Sequence, residues 1–402
     1  MAPNITDCIL KPELITSEPL IPKKSISLHR KSRNEKDLNN NKINVGEKDA
    51  QGNNKVFQQD LVWRNVIILV YSYFCLVYGI YLLQYTTWPS FVFLWSSGFA
   101  SAFGITAGAH RLWAHKAYKA KLPLRIFLMI LQTLAFQNCI HEWARDHRVH
   151  HKYTDTNADP HNSKRGFFFS HVGWLMMKKH PDVKEKGKTI DMSDLEADPV
   201  VMWQKRNFGW FMPVVAFFGP MALLYFGFGE PFYIAWYTTI TRWALAVNIT
   251  WLLNSAAHMW GWRPYDKNIS PTNTTILGFL CFGEGWHNYH HVFPWDYKTS
   301  ELVNYTVNFT NGFIDFFAKI GQAYDLKTVS EEMIRKRVLR TGDGSHPISK
   351  QMEKQELQAK LIEFVNKYHE ESTDLVWGWD DKDMKPEEKI YVTIYNKDSK
   401  ED

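Results

Sequence analysis

Long apolar runs alternate with polar stretches along this chain. Four of the runs approach the length at which a helix crosses a bilayer, about 20 residues. They cover residues 66–85, 88–109, 208–228 and 232–253. The first two runs are joined by a few uncharged residues, and so are the last two apart from Glu230. The pattern therefore predicts an all-α membrane protein with four transmembrane helices in two hairpins.

The positions of the basic residues give these hairpins an orientation. The two short hairpin loops hold no Lys or Arg, whereas the outer flanks of the four runs are basic. The basic flanking residues are Lys55, Arg64, Arg111, Lys116, Lys119, Lys121, Lys205, Arg206, Arg263 and Lys267. Because cytosolic loops carry an excess of Lys and Arg, both hairpins should begin and end in the cytosol. Both chain termini are then cytosolic.

A further apolar run at residues 122–140 is ambiguous. If it crossed the membrane, the histidines that precede it and those that follow it would lie on opposite sides. The run also contains Arg125, Gln132 and Gln137, which suit a buried or interfacial helix better than a lipid-facing one. We therefore predict that this run does not span the membrane.

These predictions divide the chain into six parts. Residues 1–60 are polar and lack an apolar core, so we expect a disordered cytosolic region rather than a signal peptide. The other parts are a first transmembrane hairpin (61–110), the first part of a mostly helical cytosolic cap (111–207), a second hairpin (208–253), the second part of the cap (254–335) and a polar C-terminal tail (336–402).

Clusters of histidine are the main candidate for chemistry. Nine of the 16 histidines fall in the motifs "HRLWAH", "HRVHH", "NSAAH" and "HNYHH". They are His110, His115, His147, His150, His151, His258, His287, His290 and His291. In each HxxHH motif the three imidazoles share a helix face, because positions i, i+3 and i+4 lie together. The predicted topology places all of them on the cytosolic side.

This number of imidazoles indicates a metal centre. His110 and His115 lie about 140° apart on a regular helix, so they would reach two metals, or one metal from a frayed helix end. Nine imidazoles exceed the four ligands of structural zinc, and two six-coordinate ions fit better. Imidazole binds zinc, copper, iron and nickel alike. A pair of iron ions held by histidines beside a membrane would suit the oxidation of an unactivated C–H bond in a lipid.

Composition excludes other kinds of site. The four cysteines show no CxxC spacing, which argues against a thiolate metal site. The net charge is only +5 and no basic patch is interleaved with aromatic residues, so nucleic-acid binding has little support.

The sequences around the histidines resemble a known family. The strings "GAHRLWAH", "EWARDHRVHHKYTDTNADPHNSKRGFFFSHVGWL", "NSAAHMWGWRPYDKNI" and "GEGWHNYHHVFPWDY" resemble membrane acyl-CoA desaturases of the stearoyl-CoA (Δ9) type, and "DLVWGWDDKDM" resembles insect members. The resemblance covers about residues 60–345. It implies a multi-pass enzyme of the endoplasmic reticulum membrane whose cytosolic cap holds a histidine-ligated di-iron site with two Fe2+ ions. It also implies that a cis double bond is formed at Δ9 of a saturated long-chain fatty acyl-CoA, with O2 as co-substrate. Cytochrome b5 and cytochrome b5 reductase would supply the electrons.

The resemblance further implies roles for single residues. The nine histidines match the family's iron ligands, and Asn254 matches a residue that reaches one iron through water. Residues that match contacts to the CoA portion are Asn65, Asn138, Arg145, Asp146, Lys178 and Lys179, and those that match the bend of the acyl tunnel are Trp251 and Thr250. Gly98 stands where vertebrate members carry a bulky aromatic near the closed end of the tunnel, and Ala102 follows one turn later. Small residues there either deepen the tunnel or pack the helices closely.

Alternative functions remain open at this point. A desaturase of other regiospecificity, such as Δ11, or a membrane fatty-acid hydroxylase would share the histidine motifs. A divalent-metal transporter would instead place its ligands near the bilayer midplane on broken helices, whereas these motifs lie beyond helix ends. An inactive lipid-binding relative would be expected to lack ligands. The "SPTN" stretch at residues 270–273 cannot be assigned a role from the sequence. Because the chain has neither a GxGxxG after a strand nor an HPxG haem motif, the electron carriers should be separate proteins.

Overall fold

The computed structural model describes residues 47–48, 54–55, 59–301, 304–351 and 375–398. Most of the region predicted to be disordered, residues 1–60, and part of the predicted tail, residues 336–402, lie outside the described residues.

The described residues are mainly helical. The α-helices are α1 (Trp63–Leu82), α2 (Trp88–Phe103), α3 (Leu122–Ala135), α4 (Ile140–Tyr153), α5 (Trp174–Met176), α6 (Pro181–Gly187), α7 (Ser193–Ala197), α8 (Pro199–Pro213), α9 (Gly219–Ala222), α10 (Phe232–Asn254), α11 (Ala256–Met259), α12 (Thr275–Leu280), α13 (His287–Val292), α14 (Phe309–Lys319), α15 (Glu331–Thr341), α16 (Pro347–Gln351) and α17 (Pro386–Ile390). Short 3-10 turns lie at Leu83–Tyr85 and Ser163–Arg165, and π-helical turns lie at Gly104–Ala114, Phe169–Gly173, Val214–Phe218 and Leu223–Gly227.

The strands are short and pair in antiparallel couples. They are β1 (Glu47–Lys48) with β2 (Asn54–Lys55), β3 (Lys119–Ala120) with β4 (Ala323–Tyr324), and β5 (Leu326–Val329) with β6 (Val392–Tyr395). The last pair joins two distant parts of the chain, because β6 belongs to the predicted tail.

Three helical segments among the described residues are long and apolar enough to cross a membrane. They are Trp63–Tyr85, Trp88–Ala114 and Pro199–Gly227, and the third begins before the predicted start at residue 208. Helix α10, which was predicted as the fourth span, has the length but not the same apolar content. It packs along α1 and buries several threonines and Arg242 inside the helical bundle, so fewer of its side chains need to be apolar.

Helices α3 and α4 form a corner of 80° within the ambiguous run. Phe136 and Asn138 turn the chain at this corner with φ angles of 44° and 70°. Helix α3 lies against the π-helical turn that follows α2, and a Cβ atom on Gly104 would come within 2.2 Å of the backbone nitrogen of Gln132. The corner brings α4 back to the same π-helical turn, as the prediction of a non-spanning run requires.

The cap has two buried apolar clusters. One joins the π-helical turn after α2 to α3, α4 and α14. The other includes Tyr265, Tyr289, Trp295 and Val376. Val376 is part of the segment that was predicted as a polar tail. Its neighbour Trp377 is only 4% exposed, so this part of the tail belongs to the cap, because its apolar side chains pack there.

Candidate metal centre

Four elements present the nine histidines to one region of the cap. The π-helical turn after α2 supplies His110 and ends at His115, α4 supplies His147, His150 and His151, α11 supplies His258, and α13 supplies His287, His290 and His291. All of these side chains are buried except that of His147, which is partly buried. The structure therefore brings together every histidine that the sequence singled out.

The π-helical turn explains how His110 and His115 point to the same place. The backbone N–H of His115 donates to the carbonyl of His110 at 3.1 Å, which is the i to i+5 bond of a π-helix. Residues five apart therefore come close to one face, and the two ring centroids are 4.7 Å apart. The sequence left open whether His110 and His115 face two metals or one. The structure places both rings in one group, and the wider turn of the π-helix, rather than a frayed helix end, brings them together.

The ring nitrogens fall into two groups. The first group is His110, His115, His147, His151 and His290, and the second is His150, His258, His287 and His291. Within each group the candidate ligand atoms all lie within 4.8 Å of one another.

Distances between nitrogens in these groups fit a shared ion. The Nε2 atoms of His115 and His147 are 2.8 Å apart, and those of His258 and His287 are 3.0 Å apart. Two nitrogens that bind one ion at about 2.1 Å and at right angles are separated by roughly 3 Å. The spacing therefore suits one metal ion in each group.

Contacts on the far side of the rings favour the metal-binding form of the imidazoles. The Nδ1 atom of His115 donates to the carbonyl of Trp377, and that of His110 lies 3.1 Å from a carboxylate oxygen of Glu284. A proton held on Nδ1 leaves the Nε2 atom with a lone pair. Lone pairs crowded around a common point repel one another unless a cation lies between them. The first group is thus built for a cation.

The electrostatics also favour neutral rings. Burial, followed by the neighbouring imidazoles, lowers the pKa of His147 and His151 well below the usual value for histidine. His150 differs from these two rings, because the Asp159 carboxylate at 2.9 Å outweighs burial and raises its pKa. Neutral imidazole is the form that binds metal ions, so most of these rings are ready to act as ligands.

Glu284 supports the first group and was missed by the sequence analysis. Burial raises the pKa of this carboxyl, but Arg111 and His110 outweigh it and lower the pKa to about 2. The fully buried Arg111 donates to one carboxylate oxygen from Nη2 at 2.9 Å and from Nε at 3.1 Å. Carboxylates that hold a ligating histidine are a common device in metal sites. The acidic residue three positions before His287 was the signal that could have revealed it.

The second group has its own supporting residues. Asp159 accepts a hydrogen bond from Nδ1 of His150 at 2.9 Å, and the Ser270 hydroxyl lies 3.0 Å from Nδ1 of His258. Ser270 opens the "SPTN" stretch that the sequence left without a role. Asn273, at the end of that stretch, accepts a hydrogen bond from the backbone of α13 at 3.0 Å. The stretch thus connects the histidine of α11 to the three histidines of α13.

Two cavities meet beside the first group. One, of about 180 Å³, is lined by residues that include Gly98, Ala102, Thr250 and Arg242. The other, of about 120 Å³, is lined by residues that include Asn65, Asn138, Asp146 and Trp251. Both are lined mostly by apolar side chains, and they share Gln137, Trp143, His147, Thr250 and Asn254. The shared residues put the junction next to the histidines.

Two residues at this junction were not among the site residues predicted from the sequence. Gln137 donates to the hydroxyl of Thr250 at 3.0 Å, which joins the α3–α4 corner to α10. Trp143 stacks on His147 with 4.8 Å between the ring centroids. An isolated glutamine or tryptophan is unremarkable in a sequence, so only the fold reveals that both line the meeting point of the cavities.

The charged residues matched to CoA contacts divide into two sets. Asp146 lines the smaller cavity, with Nζ of Lys179 at 2.5 Å and a guanidinium nitrogen of Arg145 at 3.3 Å. Burial raises the pKa of Asp146, but Lys179 and Arg145 outweigh it and lower the pKa. Lys178 instead lies on the surface and donates to Asp60 at 2.8 Å.

A buried histidine-rich metal centre at the junction of two largely apolar cavities is the arrangement expected of an enzyme that oxidises lipid chains. The family model described as "Fatty acid desaturase" matches residues 86–306. The chain belongs to this family, and it is an oxidoreductase. The predicted resemblance to acyl-CoA desaturases of the insect type is confirmed by the relatives.

Three relatives illustrate the similarity. The "Acyl-CoA Delta-12 desaturase" of Tribolium castaneum is 53% identical over 340 residues, covering 84% of this chain and 92% of the relative. The "Acyl-CoA Delta-9 desaturase" of Acheta domesticus is 51% identical over 358 residues, covering 88% and 91%. The "Acyl-CoA Delta(11) desaturase" of Spodoptera littoralis is 52% identical over 288 residues, covering 71% and 85%.

Proposed function

We propose that this protein forms a cis double bond at Δ9 of a saturated long-chain fatty acyl-CoA. The observation that carries the proposal is the junction of the two cavities at Trp143 and His147, beside the first histidine group. An acyl chain that occupies both cavities passes this junction with its middle rather than its ends. Holding one C–C bond next to the metal centre supplies the proximity and orientation on which such a reaction depends.

In this proposal the nine histidines would hold two iron ions, and Asn254 would reach one of them through water. When bound, the ions supply the chemistry by which O2, two electrons and two protons remove hydrogens from two adjacent methylenes, giving an alkene and two waters. The protein's own residues orient the ligating rings and shield the site from water. Glu284 and the carbonyl of Trp377 hold the rings of His110 and His115, and the apolar cavity walls exclude bulk water.

The smaller cavity would receive the CoA end of the substrate. Arg145, Lys178 and Lys179 offer charges suited to phosphates at this side of the protein. Asn65 lines the cavity, and its side-chain oxygen is buried without a hydrogen-bond partner. We assign it to an amide N–H of the pantetheine portion. Asn138 lines the same cavity and would also contact the CoA portion, and Trp251, which lines it as well, would lie at the bend of the acyl tunnel.

The larger cavity would receive the methyl end of the acyl chain. Gly98 and Ala102 line it on α2. A Cβ atom on Gly98 would lie 3.7 Å from Cγ of Arg242, which is ordinary contact. A larger side chain at Gly98 would therefore project toward the space that an acyl chain would fill. This favours a role in setting tunnel depth over simple close packing of helices.

The proposed setting is the endoplasmic reticulum membrane, with four spans, both termini in the cytosol and the cap on the cytosolic face. The short turns that close both hairpins hold no Lys or Arg, which supports this topology. Cytochrome b5 and its reductase would deliver the electrons from outside, since the chain has no motif for haem or a dinucleotide. Family membership favours this enzyme over a metal transporter.

Product analysis tests the proposal. We would express the full chain in yeast that lacks its own Δ9 desaturase and locate double bonds by gas chromatography–mass spectrometry. The expected products are Δ9 monoenes of C16 or C18. His147→Ala should abolish them, whereas His180→Ala, a histidine outside both groups, should not. A double bond at Δ11 or Δ12, as in the names of two relatives, would overturn the regiochemistry, and hydroxy acids would overturn desaturation.

A further inference from the structure

The segment of residues 376–384, "VWGWDDKDM", lies against the first histidine group although it follows all nine histidines in the chain. We call it the C-terminal clasp. Its Trp377 carbonyl accepts a hydrogen bond from Nδ1 of His115, and the backbone N–H of Trp379 donates to the carbonyl of His115 at 2.9 Å. The clasp therefore holds both the ring and the backbone of this one histidine.

The fit at His115 depends on the glycine between the two tryptophans. Gly378 has a φ of 158°, and a Cβ atom there would lie 2.5 Å from the carbonyl oxygen and 2.7 Å from the Cα atom of His115. No side-chain carbon fits at such distances. Any larger residue must push the clasp away from His115, because the contact is with backbone rather than a flexible side chain.

The clasp is also attached to α4, which carries the other half of the first group. The guanidinium of Arg148 lies 4.0 Å from the ring centroid of Trp377. Asp381 is 2% exposed, accepts a hydrogen bond from the backbone of Trp377 at 2.8 Å, and lies 2.9 Å from Nζ of Lys152. In the sequence, Arg148 lies between His147 and His150, and Lys152 directly follows His151. The clasp thus bridges the two helical elements whose imidazoles face each other.

A third set of contacts fixes the residue after His115. Lys116 has a φ of 54°, a conformation unfavourable for a side-chain-bearing residue. Its Nζ atom lies 2.9 Å from Asp380 of the clasp, and its carbonyl accepts from Nζ of the buried Lys327 at 2.9 Å. The end of the π-helical turn is therefore held in place by residues from outside the helix.

We propose that the C-terminal clasp positions His115 for metal binding, so that loss of the clasp contact weakens the first histidine group and spares the second. This inference rests on the proposed function in taking the two groups to hold one ion each. A carbonyl that accepts from Nδ1 fixes the tautomer and orientation of a ligating ring, and losing such a partner typically costs about 10- to 100-fold in metal affinity. The polar contacts of the clasp described above reach His115, Lys116 and α4, while its apolar residues Val376 and Met384 pack in the cluster that contains Tyr289 of α13.

Metal titration of the full-length chain tests the inference. We would purify the protein in detergent, strip it with a chelator and titrate Co2+ by equilibrium dialysis with mass-spectrometric metal analysis. The wild type should bind two Co2+ per chain. Gly378→Ala should keep one site and weaken the other by about 10- to 100-fold. Retention of two sites at wild-type affinity would overturn the inference.

A matched glycine serves as the control. Gly344 also has a positive φ, of 85°, but a Cβ atom there would meet nothing within 4 Å. Gly344→Ala therefore adds a Cβ atom at another glycine of positive φ without a clash, and it should bind two Co2+ like the wild type. Weakening of one site by Gly344→Ala as well would overturn the inference, since general destabilisation would then explain both results.

A second pair of variants decides the matter if Gly378→Ala does not fold. Trp377→Ala removes the ring that rests on Arg148, whereas Trp377→Phe keeps a ring there. We expect the alanine variant to lose one site and the phenylalanine variant to recover it, while equal binding of two Co2+ would contradict the inference. Failure of the proposed function is distinguishable, because a wild type that binds two Co2+ yet forms no alkene contradicts the function and leaves the clasp untouched.

Discussion

The Nε2 atoms of His115 and His147 lie 2.8 Å apart, although the apolar helix α3 stands between these residues in the chain. A single span made from α3 and α4 would separate the two rings by a large part of the bilayer core, about 30 Å thick. The contact therefore requires the chain to return to the side of the membrane from which it entered α3.

This return predicts the sidedness of the termini. With α3 and α4 not crossing, the four proposed spans would leave both ends of the chain on one face. In intact microsomes, protease should remove epitope tags from both the N- and the C-terminus without detergent. A lumenal protein of the same microsomes should stay protected as a control. Protection of one tag alone would indicate an odd number of crossings and contradict the topology.

Replacing Glu284 should damage both stability and the first histidine group. Glu284→Gln removes the negative charge that lies between Arg111 and His110, which leaves the fully buried guanidinium without its counter-ion. Breaking a buried ion pair costs roughly 3 kcal/mol. We expect a clearly lower midpoint of thermal unfolding and loss of most desaturated product. Glu332→Gln, which breaks an exposed pair with Lys336, should change the free energy of unfolding by less than about 0.5 kcal/mol.

The metal-free protein should lose stability as the pH falls. The folded-state pKa of His147 and of His151 is lowered by burial, so below about 6.5 the unfolded chain binds protons that the folded chain does not. Stability then rises with pH wherever the unfolded state carries more protons. Thermal unfolding of the chelator-treated protein should therefore occur at a lower temperature at pH 5.5 than at pH 7.5. An unchanged or higher midpoint at pH 5.5 would be inconsistent with neutral buried rings.

Acidification below about pH 4.5 should reduce stability further, through protonation of Glu284. Its pKa is about 2 in the folded chain against an ordinary value of 4.5, because Arg111 and His110 outweigh burial. The stabilisation it contributes is complete above pH 4.5 and is lost as the pH falls toward 2. The difference in unfolding midpoint between wild type and Glu284→Gln should accordingly shrink across this window. A difference independent of pH would show that charge is not the cause.

Gly98 should control the length of the acyl chain. Gly98→Phe places a ring in the larger cavity, so the ratio of C16 to C18 monoenes should rise several-fold in the yeast assay. Gly98→Ala adds a methyl group that fits at 3.7 Å from Arg242 and should leave the ratio nearly unchanged. If Gly98→Phe lowers total product without changing the ratio, close packing of helices is the role of this glycine.

The sequence was sufficient to find the clustered histidines but not their grouping. Spacing at i, i+3 and i+4 identified the two HxxHH faces, since a regular helix has one geometry. The division into groups of five and four depends on a π-helical turn at His110, and no pattern of residues in that segment distinguishes it from a regular helix. The supporting partners were missed for a different reason. Glu284 and Trp377 lie far from His110 and His115 in the chain, so only the fold brings them together.

The membrane helices also could be predicted only in part from the sequence. Trp63–Tyr85 and Trp88–Ala114 were predictable because the lipid-facing sides of a span must be apolar. Helix α10 is less apolar because much of its surface packs against α1 and within the bundle, and sequence alone does not tell a lipid-facing side chain from one that faces another helix.

The contact between Trp377 and His115 has a consequence for biosynthesis. The ribosome makes Trp377 after every one of the nine histidines, so a nascent chain can insert its helices and gather its imidazoles before the partner of His115 exists. The first group reaches its final geometry only when a much later segment has emerged and folded back onto the cap. Tight binding of metal at that group would then follow synthesis of the clasp, and a nascent chain stalled before residue 376 would lack the partner of His115.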